Sequence, residues 1–338
     1  MRKTTRAVLL AAAGALALAS AGSALASFSP KLWASAGTGV TIKVQVGAAD
    51  DPTAKVSIYA PVGYQLKDPP PAGTVLGAIT AQASAVDLGG AILPLTGDLV
   101  AADPAQYTGP PNNVCVPGAH AQVWILNLTA AGQTLQVPMY VDPTSGAAAA
   151  FASFTIQVCL PPPDVPVGTP GRATFGAKLL SAEFTSSAVT PSATGGLFHS
   201  LWTPYTPAKG TPNQAGTVEA QAKVGSPASL TLSGKKTGTK KAKRATLTAR
   251  LAPAAAGTTV TFLAGGKKVA SAKTNAGGIA VASVRLLRTT SFTATATAPD
   301  ADLGSAGCAA TVPGSPFPCV DSTSKGSKTT SKAVRVKA

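Results

Sequence analysis

The chain has 338 residues, with 28 Lys and Arg against 13 Asp and Glu, and a net charge of +15. Charged residues make up only 12 %, too few for a helical bundle or coiled coil, and its 34 Gly and 28 Pro follow no collagen period. At 45 % hydrophobic residues and a mean hydropathy of +0.23 it is too apolar for a disordered tail, and its length suits two domains.

Residues 1–26 read as a secretory signal. Arg2, Lys3 and Arg6 precede an Ala- and Leu-rich run, and Ala24-Leu25-Ala26 has the small-x-small form of a cleavage site, with Ser27 as the expected mature start. An uncleaved anchor is the alternative, but the run is weakly apolar for a span, so no transmembrane segment is expected after cleavage. The expected location is secreted, extracellular or at the cell envelope. Four cysteines in an exported chain predict two disulfides. Of the three pairings, Cys115–Cys159 and Cys308–Cys319 are expected, because each keeps within one expected domain. There is no CxxC, so neither a metal nor a cofactor is expected.

Period-two alternation recurs between Gly and Pro clusters, which predicts half-buried strands. Val40, Ile42, Val44 and Val46 face one way, and Val56 and Ile58 continue the pattern. Trp124, Leu126 and Leu128 share a face, then Ala130-Ala131-Gly132-Gln133 turns the chain into Leu135, Val137, Met139 and Val141. Phe154, Ile156, Val158 and Leu160 precede Pro161-Pro162-Pro163, and residues 172–184 and 217–224 read as later strands. The only helical signal after the signal segment is a single turn at residues 147–150. Residues 27–225 are thus expected to form a β-sandwich.

A boundary is predicted at Gly225-Ser226-Pro227, where composition changes. Residues 27–224 carry eight basic and ten acidic side chains; residues 225–338 carry seventeen and three (Asp300, Asp302, Asp321). Beyond the boundary Leu230 and Leu232, then Leu247, Ala249 and Leu251, then Val260 and Phe262 alternate with polar residues. Gly265-Gly266 and Asn275-Ala276-Gly277-Gly278 turn the chain around 269–274 and into 279–286. Phe292 to Ala298 alternates with threonine, and Val334 and Val336 close the pattern. About seven short strands in about 110 residues match a two-sheet sandwich.

Residues 226–338 resemble the bacterial immunoglobulin-like domains of secreted and cell-surface proteins. The stretches that carry the resemblance are Gly257-Thr258-Thr259-Val260-Thr261-Phe262, Gly266-Lys267-Lys268-Val269, Thr274-Asn275-Ala276-Gly277-Gly278-Ile279-Ala280, Phe292-Thr293-Ala294-Thr295-Ala296 and the final strand within 331–336. The resemblance implies an all-β protein with a C-terminal immunoglobulin-like sandwich. Residues 299–330, which hold Cys308 and Cys319, depart from it as a long insert. The insert, closed by its disulfide, is expected to offer either a binding loop or an ordered, protease-resistant elaboration.

Catalytic signals are sparse. The histidines are His120 and His199, the glutamates Glu183 and Glu219, and no GxSxG, HExxH, P-loop or GxGxxG is present. His120 shares strand parity with Trp124 and reads as a packed histidine; His199 sits in the aromatic run Phe198-His199-Ser200-Leu201-Trp202. Asp300-Ala301-Asp302-Leu303-Gly304 lacks the remaining ligands of a calcium loop. No catalytic residue is assigned. The informative feature is basic: Lys235, Lys236, Lys240, Lys241, Lys243, Arg244, Lys267 and Lys268 are candidate anion-binding residues on or beside turns. Expected partners are anionic envelope polymers or surface proteins. Without interleaved aromatics, no dedicated nucleic acid partner is expected. The leading expectation is a secreted, non-catalytic protein that binds such partners weakly. A structural spacer is the second, and a secreted hydrolase or accessory carbohydrate-binding protein acting through residues 27–225 the third. No sorting signal ends the chain, so any attachment is expected to be non-covalent.

Overall fold

A computed structural model describes residues 28–338 except 111, 114, 131, 225–228, 240, 241 and 313. The signal segment, the boundary tripeptide, Lys240 and Lys241 therefore lie outside the described residues.

The molecule is all-β. Its strands are β1 (Lys31–Ala36), β2 (Val40–Gln45), β3 (Thr53–Pro61), β4 (Gln65–Leu66), β5 (Val75–Ala85), β6 (Ala91–Ala102), β7 (Gln122–Ala130), β8 (Gln133–Pro143), β9 (Ala152–Cys159), β10 (Ala177–Ser186), β11 (Val189–Thr190), β12 (Gly196–Pro204), β13 (Val218–Val224), β14 (Ser229–Gly238), β15 (Lys243–Ala252), β16 (Thr259–Ala264), β17 (Lys267–Lys273), β18 (Ile279–Arg285), β19 (Thr290–Thr297), β20 (Ala301–Asp302), β21 (Cys319–Ser324), β22 (Lys328–Thr330) and β23 (Val334–Val336). Among the described residues the only helices are short 3-10 turns, one of them at Gly146–Ala150. No described helix is long and apolar enough to cross a membrane.

Eleven of the thirteen strands before residue 225 form one continuous ladder, in the order β1-β2-β10-β5-β6-β7-β8-β9-β3-β12-β13, and the short β4 and β11 pair with each other. The alternation read from the sequence sets its faces. Val40, Ile42 and Val44 turn inward, while Thr41, Lys43 and Gln45 turn outward. The sheet wraps around a core that includes Leu32, Ile58, Ile79, Leu99, Trp124, Met139, Phe198 and Trp202, and burial of this one face is its main driving force. β7 is buried on both faces. Behind it Val123 and Ile125 pack with Tyr140 under Val116, where the Cys115–Cys159 disulfide ties the preceding loop down.

The ladder does not stop at β13. β21 adds to it in parallel, with Ala220 opposite Asp321 and Lys223 opposite Ser324, and β20 pairs beyond β21. The two ends of the sheet then meet: the Thr323 hydroxyl donates to the Leu32 carbonyl of β1. Residues expected to form a loop insert in the last sandwich thus supply two strands to the other sheet.

The remaining strands form two sheets, β14-β15-β18 and β17-β16-β19 with β22 and β23 on β19. They pack over a second core of Leu230, Leu247, Leu251, Val260, Phe262, Phe292 and Val336. Gly234 permits close approach there, because a Cβ at that position would lie 2.6 Å from the Val336 side chain.

Candidate functional site

The basic side chains are gathered by strand direction. β14 runs away from its start at residue 229 and β15 returns, with Lys236 opposite Ala245, Thr237 opposite Arg244 and Gly238 opposite Lys243. The next hairpin turns at Gly265-Gly266, with Ala264 opposite Lys267, and Ala264 in turn lies opposite Phe292 of β19. Phe292 pairs with Val334 and Ser291 with Arg335, and the Val336 of that same strand meets Gly234 of β14. Both turns therefore lie at one end of the two-sheet unit. β18 arrives at this end too, since Arg285 is opposite Arg244 and the Leu286 N–H donates to the Lys243 carbonyl at 3.0 Å.

Lys235, Lys236, Lys243, Arg244, Lys267 and Lys268 are thus brought to one tip, and all but the half-buried Lys243 are exposed. Four residues that the sequence reading omitted join them: Arg285, Arg288, Arg335 and Lys337, all exposed. Each stands outside the lysine-rich run, so only antiparallel reversal reveals its place. Arg244 is held by Ser283, with Nε donating to Oγ at 2.7 Å and Nη2 to the carbonyl at 3.1 Å. Arg244 and Arg285 lie directly opposite across the sheet, an arrangement that costs stability when no anion intervenes.

The three acids of the last third sit at the other end. The Asp300 carboxylate accepts from Lys325 Nζ at 2.8 Å and from the Gly326 N–H at 3.0 Å; burial alone would raise its pKa, but these donors hold it below the ordinary value. Asp302 and Asp321 both pair with Lys31 of β1, the latter at 3.3 Å. Burial pushes the Asp321 carboxyl up, against the attraction of Lys31. The sequence that resembled a partial calcium loop is therefore engaged by lysines and backbone, and no described cluster of His, Cys, Asp or Glu has the makings of a metal site.

The disulfide-closed segment is clamped rather than free. Cys308 is bonded to Cys319, and between them the Val312 N–H donates to Glu219 Oε2 at 3.0 Å and the Ala309 N–H to Gln221 Oε1 at 2.8 Å. Glu219, fully buried on β13, also accepts from His199 Nδ1 at 2.6 Å and from Gln221 Nε2 at 2.8 Å. Burial by itself would raise the Glu219 pKa, but the His199, Gln221 and Val312 donors outweigh it and hold it below the ordinary range. His199 packs edge-on against Phe151, whose ring also lies beside Tyr59. The expected aromatic setting is there, with a carboxylate partner that sequence reading missed. His120 departs from its expected face. It lies before β7 rather than on it, and its ring rests near that of Tyr140, on the side opposite Trp124. Its Nδ1 donates to Asp142 Oδ2 at 2.8 Å.

Two features bear on the carbohydrate reading. Trp33, Trp124 and Trp202 are all buried, so none offers an open ring face to a sugar. An outer groove of about 660 Å³ crosses β2, β10, β5 and β6, with Lys43, Gln45, Thr80, Gln82, Ser181 and Glu183 among its lining. Glu183 is its one carboxylate, whereas acid–base cleavage of a glycoside uses a pair. No family model, curated protein or solved structure matches this chain.

Proposed function

We propose that the chain is a secreted, non-catalytic protein of two domains, whose C-terminal immunoglobulin-like sandwich holds anionic envelope polymers at its basic tip. The two face-to-face sheets formed by β14 to β19 with β22 and β23 support the immunoglobulin-like reading, and the two disulfides fit an oxidising exterior. One observation carries the function. Strand direction gathers the exposed lysines and arginines of separate hairpins at one end, while every acid of that third of the chain is drawn to the other end and paired with lysine. Such a tip concentrates positive potential, attracts repeating phosphates or carboxylates, and releases them as salt rises.

The test is retention of the mature chain on immobilised polyphosphate. The protein is expected to bind at about 50 mM salt and to elute by about 200 mM. The Lys267→Ala/Lys268→Ala variant is expected to elute earlier. A variant matched in charge but altered at the opposite end, Lys273→Ala/Lys328→Ala, is expected to elute later than that pair. Absence of retention, or equal elution of the two variants, overturns the proposal and favours a spacer role.

A further inference from the structure

The outer face of β14, β15 and β18 carries a grid of polar side chains where it reaches the tip. Thr237, Arg244 and Arg285 lie in one row across the strands, and Lys235, Thr246 and Ser283 in the next. Ala245 and Val284, which stand between the rows, point into the core, so the six share the outward face. Three of them are cations and three carry hydroxyls. Residues 225–299 contain no Asp or Glu, so no carboxylate of these strands answers that charge.

The two arginines are prepared unequally. Arg244 is fixed by Ser283, with Nε donating to the hydroxyl at 2.7 Å and Nη2 to the carbonyl at 3.1 Å, and its Nη1 is left over. Arg285 and Lys235 are exposed and have no hydrogen-bond or ion-pair partner among the described residues. Side chains directly opposite in antiparallel strands stand about 5 Å apart at Cβ, so both guanidiniums reach a single anion. Thr237 and Thr246 share one hydroxyl hydrogen bond of 3.1 Å, which leaves a hydroxyl proton to spare beside them.

Two opposed guanidiniums set terms for that anion. A carboxylate or a phosphodiester brings one negative charge and two terminal oxygens, enough for one fork. A sulfate ester has three terminal oxygens and one charge. A phosphomonoester has three terminal oxygens and a charge of about −1.5 to −2 at pH 7, which matches two forks in both respects. We propose that Arg244 and Arg285 clamp a phosphomonoester, with Lys235 and the spare hydroxyl proton at its side. The clamp presupposes that the tip is an anion site, as proposed above, and makes its ligand the terminal or pendant phosphate of a polymer.

The probes are glycerol 1-phosphate, dimethyl phosphate, methyl sulfate and acetate, titrated into the mature chain and followed by NMR at the arginine Nε–H resonances. At about pH 7.5 the monoester is expected to bind about tenfold more tightly than each of the other three. At about pH 5, where it loses its second charge, its advantage over dimethyl phosphate should shrink. Arg244→Lys/Arg285→Lys keeps the net charge, so the variant should stay on polyphosphate while its four probes become level. Ser283→Ala, which frees Arg244, should weaken the monoester about threefold. Retention on polyphosphate with equal affinity for monoester and diester, or with a preference that survives the double lysine variant, overturns the clamp and leaves the tip reading standing. No retention and no binding of any probe overturns both.

Discussion

Val312, inside the loop closed by Cys308 and Cys319, donates its N–H to the carboxylate of Glu219, a residue 93 positions earlier in the chain. The same carboxylate accepts from His199 and Gln221. Glu219→Ala leaves three buried donors unanswered and is expected to cost about 3 kcal/mol, read from urea unfolding. Glu219→Gln should cost less. Protease cleavage between residues 309 and 318 should quicken in the alanine variant. An unaltered unfolding midpoint and cleavage rate would contradict the clamp.

Glu219 also gives the fold a pH dependence of known sign. Its pKa is lower folded than the ordinary value of 4.5, so the folded state binds that proton less readily than the unfolded chain. The contribution to stability is therefore complete above about pH 4.5 and is lost as pH falls through the depressed value. Stability measured by chemical unfolding from pH 6 down to pH 3 should fall more steeply in the parent than in Glu219→Gln. Parallel profiles would remove Glu219 from the acid response.

Lys31 behaves differently because the carboxyl it faces, Asp321, has a raised pKa. The neutral form of Asp321 is the one that burial favours, and Lys31 offsets burial only while the carboxylate is charged. Lys31→Met is therefore expected to destabilise by about 2 kcal/mol at pH 7 and by less at pH 4. Thermal melts of the variant and parent at both values check this, and an equal loss at the two pH values counts against it.

The disulfides should differ in their effect. Cys115–Cys159 spans 44 positions and Cys308–Cys319 spans 11. In the chain-entropy view the first stabilises by about 4 kcal/mol and the second by about 3 kcal/mol. Paired Cys→Ser variants, compared by denaturant unfolding, should keep that order. The second loop has Glu219, Gln221 and β13 as additional holds, so its variant should retain native circular dichroism.

The sequence was most legible where large aliphatic residues alternate with polar ones. Val40 to Val44, Trp124 to Leu128 and Val260 with Phe262 announced their strands and buried faces directly. β5 and β6 were invisible because their inward positions include Ala81, Ala83 and Ala101, too small to stand out from the outward ones, and Gly77, Pro94 and Gly97 resemble turn residues. The lysines of 235–244 were legible as a run. Arg285 and Arg335 were not, since their membership in the tip depends on which strands pair. The partner of His199 was hidden for the same reason: Glu219 lies on the neighbouring strand, a relation that only register discloses.

The polypeptide passes between its two cores three times, after Val224, before Ala301 and after Ser324. On the middle visit it lays β21 alongside β13. The two cores are thus joined by three passages of chain and by the β13–β21 ladder of hydrogen bonds, not by a single tether. In the reading proposed above, tension on a polymer held at the tip would pass into that ladder.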